Sequence, residues 1–165
     1  AEILANAVGL DGMCGGQYLD MLGEGKPLTA EDLDEINSRK TGALLIAACQ
    51  MGVAAAGGNE KMLEAAALFG ASIGMAFQIR DDMLDVLGDA ANDILDVTAT
   101  EEELGKPIGS DAEEHKNTYM ALLGEEKCME LVVRLTENAK AALGEAFSDT
   151  AFLCELADSM VSRLK

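Results

Sequence analysis

Across residues 60–87 the chain has no proline and no alternating polar and apolar pattern, while Ala, Leu, Met and Ile recur at helical spacing. A stretch of that length exceeds an ordinary strand, so it reads as one long helix. The remainder agrees, since only Pro27 and Pro107 interrupt 165 residues rich in strong helix formers. At 49% hydrophobic the chain can bury one core. The expectation is a single all-α domain over residues 1–165, built as a helical bundle.

Local signals divide this bundle into about seven helical segments. The first ends near Val8, before the glycines of residues 9–12, and the second covers residues 17–22. Thr29 reads as an N-cap, with Glu31 and Asp32 in the first turn of a helix continuing to about Ala56. Gly57-Gly58 closes that helix, and Asn59 caps the long one. Further segments are expected near residues 113–123, 125–147 and 150–164, with Ser148 capping the last and Leu131, Val132, Leu135 and Leu143 as core.

Within the long helix, Gln78, Asp81, Asp82 and Asp85 fall within about 60° of a common direction at 100° per residue. Three carboxylates on one face repel one another unless a cation sits between them. The face is therefore either a solvated acidic surface or a seat for a hard divalent ion such as Mg²⁺. Other polar signals accompany it. Gly12-Met13-Cys14-Gly15-Gly16-Gln17 with Asp20, then Arg39-Lys40-Thr41-Gly42, lie upstream, and Gly105-Lys106-Pro107-Ile108-Gly109-Ser110-Asp111 with Lys116 lies downstream. In this order GGQxxD, KTG, FQxxDDxxD and GKPxGSD closely resemble the motifs of the trans-isoprenyl diphosphate synthases, the farnesyl and geranylgeranyl diphosphate synthase family. Residues 156–163 resemble that family's C-terminal helix.

The resemblance implies a fold like the C-terminal part of the isoprenoid synthases. It also implies Mg²⁺-dependent prenyl transfer, joining isopentenyl diphosphate to an allylic diphosphate. By motif position, Asp81 and Asp82 would bind metal, with Asp85 as ligand or outer support. Lys40 and Lys106 would meet the allylic diphosphate, and the oxygens of Thr41 and Gln78 would stabilise the carbocation. Phe77 would place the isopentenyl group, Gln17 would support the pocket wall, and Asp111 and Lys116 would orient the loop. His115, among Glu113, Glu114 and Lys116, reads as an exposed helical residue. The family also implies a homodimer.

Two departures accompany the match. Family members carry two aspartate-rich motifs facing each other across a cavity, and only the second is present here. The sequence opens on Ala1-Glu2-Ile3-Leu4 as if in mid-helix, so a C-terminal half is expected, needing its complement for turnover. A noncatalytic regulatory or assembly subunit, or an inactive fragment, is the alternative. In such a half, Leu44, Leu45, Ile46, Phe69, Ile73 and Phe77 are expected to leave apolar surface for another chain to cover. The second departure is a repeat: Asp82-Met83-Leu84-Asp85-Val86 returns as Asp93-Ile94-Leu95-Asp96-Val97, within an insertion at residues 90–100. Eleven residues make three turns, so a continuous helix would return Asp93 and Asp96 to the same face about 16 Å further along. The second copy is read as a solvated extension.

Composition restricts partners. A formal charge of −18 argues against nucleic acid and anionic membrane surfaces, while remaining compatible with diphosphates held through metal and a few lysines. No apolar run is expected to approach the ~20 residues of a membrane span. Cys14, Cys49, Cys128 and Cys154 are widely spaced and read as reduced thiols, which points to the cytoplasm. Product length is not legible.

Overall fold

Eight α-helices form over the described part of the chain, which in this computed structural model is the backbone of residues 1–98 and 117–162 and the side chains of residues 1–86 and 117–159. They are α1 (Glu2–Val8), α2 (Met13–Gly23), α3 (Ala30–Asn37), α4 (Ala43–Ala55), α5 (Glu60–Thr98), α6 (Tyr119–Leu123), α7 (Glu125–Gly144) and α8 (Ala151–Ser162). Among the described residues there is no strand. A π-helical turn, Ser38–Gly42, joins α3 to α4 without a break in helical backbone.

The ends form where their chemistry predicts. Thr29 accepts the Asp32 N–H and the Asp32 carboxylate accepts the Thr29 N–H at 2.9 Å, a capping box at the start of α3. Gly57, at φ +74, turns the chain out of α4, and Asn59 Oδ1 accepts the Met62 N–H to open α5. Two boundaries differ from expectation. α2 begins at Met13, so the GGQ glycines lie inside a helix. The carboxylate of Asp149, not Ser148, meets the Ala151 N–H before α8. Helix α5 covers the expected residues 60–87 and continues through the second Asp-x-x-Asp copy, ending at Thr98.

Helix α5 is the axis of the packing. Ala76, Ile79 and Met83 meet Leu33, Tyr119, Cys128 and Val132, while Phe69 and Ile73 meet Ala139, Leu143 and Ala157. The early part of α7 thus lies on the late part of α5, and the two run antiparallel. Lys140 adds a clip at the surface, donating to Glu137 and Asp158 at 2.9 Å each. These contacts correct one expectation: Phe69 and Ile73 are covered within the chain by α7 and α8, whereas Phe77 stays 39% exposed. The segment Glu60–Val86 is long and apolar enough on average to cross a membrane. An average hides its sidedness, because its apolar face is packed against α3, α7 and α8 and its other face carries the aspartates, as in the core helix of a bundle.

On the other side, α5 approaches α4 backbone to backbone. A Cβ on Gly70 would lie 2.8 Å from Ile46 Cα, and one on Gly74 would lie 3.1 Å from Leu45 Cδ1 and 3.4 Å from Gly42 Cα. At Gly70 only glycine permits that separation. One buried group stands out: Arg80 is 3% exposed, and none of its three guanidinium nitrogens has a hydrogen-bond partner among the described residues. Burial holds its pKa below the ordinary arginine value.

Two stability predictions follow from this packing. Gly70→Ala should cost about 1–3 kcal/mol by urea denaturation, because overpacking against Ile46 outweighs the helix-propensity gain; Gly52→Ala, where nothing lies within 4 Å, should instead gain about 0.5–1 kcal/mol. Arg80→Met should raise the stability of this chain by about 1–3 kcal/mol in the same assay, since it removes a desolvated charge and keeps the buried stem.

Candidate functional site

The KTG motif occupies the π-helical turn, where an extra residue per turn swings the side chains of Lys40 and Thr41 relative to those of α3 and α4. Two close approaches position this turn. A Cβ on Gly16 of the GGQ motif would fall 2.3 Å from Lys40 N, so α2 sits directly on the turn. Gly42, the last residue of the turn, lies against Gly74 of α5. Gly74 is one helical turn before Gln78, and Thr41 Oγ1 donates to Gln78 Oε1 at 3.3 Å. The glycines thus bring three motifs, separated in sequence, to one edge of α5.

Lys40 Nζ donates to Asp20 Oδ2 at 2.6 Å, an ion pair in which both side chains are partly open to solvent. This assigns a partner to the Asp of GGQxxD, while Gln17 itself is exposed. Gln78 connects the turn to the aspartates. Its oxygen accepts from Thr41, and its side chain lies near enough to Asp82 to help hold that carboxyl's pKa down. The Thr41 bond orients the amide, and because Thr41 donates in it, the lone pairs of that hydroxyl meet no donor among the described residues.

Asp81 and Asp85 are exposed; Asp82 is half-buried and accepts the Tyr119 backbone N–H on Oδ2 at 2.9 Å. Burial pushes the Asp82 carboxyl above its ordinary value, opposed by the Tyr119 N–H and by the nearby Gln78 side chain and reinforced by the charges of Asp85 and Asp81. Cys128, fully buried nearby, has its thiol raised by burial and by Asp82, so it is an inert packing group. Among the described residues no three carboxylates, histidines or cysteines converge as a metal cage. Asp81, Asp82 and Asp85 share a helix side, but Asp82 is turned toward Tyr119. The donor set nonetheless fits Mg²⁺, which takes one or two carboxylates and keeps water or phosphate in its other positions. Mutual repulsion within the set is the stress such a cation would relieve.

Phe77 is partly exposed one residue before Gln78. Lys106, Asp111, His115 and Lys116 lie outside the described residues, as do the side chains of Asp93 and Asp96. A surface depression of about 800 Å³ lies on the outer side of α7, against Glu126, Met129, Val133 and Arg134, and includes no candidate site residue. Sequence reasoning missed Asp20 as the partner of Lys40 and Tyr119 as the partner of Asp82. The first was signalled by its place in GGQxxD; the second involves a backbone N–H, which carries no residue signature.

This all-α bundle has the fold of solved isoprenyl diphosphate synthases. Residues 1–92 match the polyprenyl synthetase family model, and the chain belongs to that family. It is 40% identical over 166 residues to farnesyl diphosphate synthase of Escherichia coli K12, covering 98% of this chain and 52% of that protein. It is 37% identical over 161 residues to geranylgeranyl diphosphate synthase of Cyanophora paradoxa, covering 97% and 50%. Among solved structures, a putative farnesyl-diphosphate synthase from Marinomonas sp. MED121 superposes with a TM-score of 0.76 at 29% identity, over 98% of this chain and 51% of that one. An FPP/GFPP synthase from Zymomonas mobilis gives 0.75 at 26%, over 96% and 49%. The chain spans about half the length of the curated relatives it matches.

The electrostatics of Asp82 make a signed prediction. An acid whose folded pKa is raised weakens the fold as pH climbs above the unfolded value, here the ordinary 3.8. Asp82→Asn keeps an oxygen for the Tyr119 N–H and carries no charge. It should therefore be more stable than the native chain at pH 7, with the difference vanishing below about pH 3.8 in urea titrations at several pH values.

Proposed function

We propose that this chain supplies one wall of the active site of a prenyltransferase that condenses isopentenyl diphosphate with an allylic diphosphate. The observation that carries the reading is the Thr41–Gln78 contact, which joins the Lys40 turn to the aspartate helix one turn before Asp81 and Asp82. Allylic ionisation leaves a diphosphate with added negative charge beside a carbocation, so the protein must offer cationic groups to one and oxygen dipoles to the other. Lys40 fits the first task by exchanging Asp20 for diphosphate oxygens. The free lone pairs of Thr41 and the Gln78 oxygen fit the second. Asp81 and Asp85, with the remaining oxygen of Asp82, would hold Mg²⁺, which when bound neutralises the leaving diphosphate. Phe77 would shield the isopentenyl chain from water. Lys106 and Lys116 join the proposal by motif position, and Gln17 supports the wall.

Self-association as a homodimer is part of this reading, supported by exposed Leu10, Tyr18, Met21, Leu68, Phe77 and Phe152. Four unpaired cysteines support a reducing compartment such as the cytoplasm.

The test is transfer of labelled isopentenyl diphosphate to dimethylallyl or geranyl diphosphate by the purified chain with Mg²⁺, with oligomer mass measured on the same sample. Turnover is expected, either from the chain alone or on addition of a polypeptide carrying the first aspartate motif. Asp81→Ala should lower it by at least about a hundredfold. Equal turnover in Asp81→Ala, or none under either condition, would refute the assignment.

A further inference from the structure

The segment just before α6 makes more directed polar contacts than its three residues need for their own fold. Thr118 caps α6 by accepting the Ala121 N–H. Asn117 Oδ1 accepts the Leu28 N–H at 3.0 Å and its amide donates to the Lys26 carbonyl at 2.8 Å, tying the segment to the turn between α2 and α3. Tyr119 is 2% exposed, and its hydroxyl donates to Asp34 Oδ1 of α3 at 2.7 Å, with Met75 Sδ of α5 at 3.2 Å. Its backbone N–H donates to Asp82.

We propose that Tyr119 is a positioning residue for the aspartate face. Anchored at its hydroxyl by Asp34 and through Asn117 by the α2–α3 turn, it holds the N–H that orients the Asp82 carboxylate. Asp82 has one oxygen committed to Tyr119, so the direction of its other oxygen is set by a backbone whose place depends on a phenol–carboxylate bond to a different helix. The partners of metal-binding carboxylates commonly govern affinity in this way. Tyr119 is also N1 of α6, where its N–H has no intrahelical acceptor and is free to serve Asp82. The inference rests on the reading of Asp82 as a divalent-cation group, and the experiment separates the two.

Mn²⁺ binding in the presence of inorganic diphosphate, followed by electron paramagnetic resonance on the full chain, reports affinity without requiring turnover. Asp82→Ala tests the metal reading, and unchanged Mn²⁺ affinity there would overturn it. Tyr119→Phe keeps the ring and the N–H but loses the anchor, and should weaken Mn²⁺ by about tenfold, the low end for an outer partner. In the Asp82→Ala background the same change should have an effect of less than about twofold, because a coupled pair is non-additive. Asp34→Asn retains an acceptor and should bind like the native chain, while Asp34→Ala should match Tyr119→Phe. Asn117→Ala loosens the segment without touching the core and should weaken Mn²⁺ in the same direction even if Tyr119→Phe unfolds. Weak binding in Asp82→Ala with native affinity in Tyr119→Phe or, should that variant unfold, in Asn117→Ala would overturn the positioning role alone. So would an equal loss on either background.

Discussion

The arrangement depends on backbone contact at three glycines. Where Gly70 of α5 meets Ile46 of α4, and where Gly16 of α2 meets Lys40, there is no room for a methyl group, and Gly74 lies in contact with Gly42 of the π-helical turn. Side-chain packing normally keeps helix axes 8–10 Å apart, and removing the side chains lets the peptide planes themselves become the contact surface. The functional groups inherit their positions from this. Thr41 reaches Gln78 because Gly42 rests on Gly74, and Lys40 faces Asp20 because Gly16 lets α2 settle on the turn. Glycine in the middle of a helix is costly in isolation, and here that cost is offset by what the close approach brings together.

Charge is the second organising influence. A chain with 30 acidic and 12 basic residues spends few cations, and two of them are placed where they hold structure: Lys40 on Asp20 and Lys140 between Glu137 and Asp158. Arg80 is the exception, a buried cation with no partner among the described residues. It lies on the core side of α5, turned about 100° around the helix from its neighbour Asp81, which is exposed.

Much of this was legible in the sequence, and the reasons are local. Thr29 with Asp32, Gly57 and Asn59 act within four residues of themselves, so their roles could be read directly. The shared side of Gln78, Asp81, Asp82 and Asp85 follows from helical periodicity alone. What escaped depends on contacts distant along the chain. The π-helical turn has no composition of its own and arises where α2, α4 and α5 converge. Burial of Phe69 and Ile73 required knowing that α7 and α8 fold back over them. Asp20 and Tyr119 acquire meaning only from partners 20 and 37 residues away.

The repeat within α5 has a consequence for how such a chain can vary. At 39 residues the helix is about 58 Å long, and the second copy continues it without a break. Because eleven residues close three turns, a duplication of that size acts as a spacer that lengthens the rod while preserving its rotational phase. Insertions of one or two residues would instead rotate everything beyond them by 100° or 200°, scrambling the buried and exposed sides together. A helix can therefore grow by whole three-turn modules and keep a single inner face, which makes its length a separately adjustable property from its amphipathic pattern.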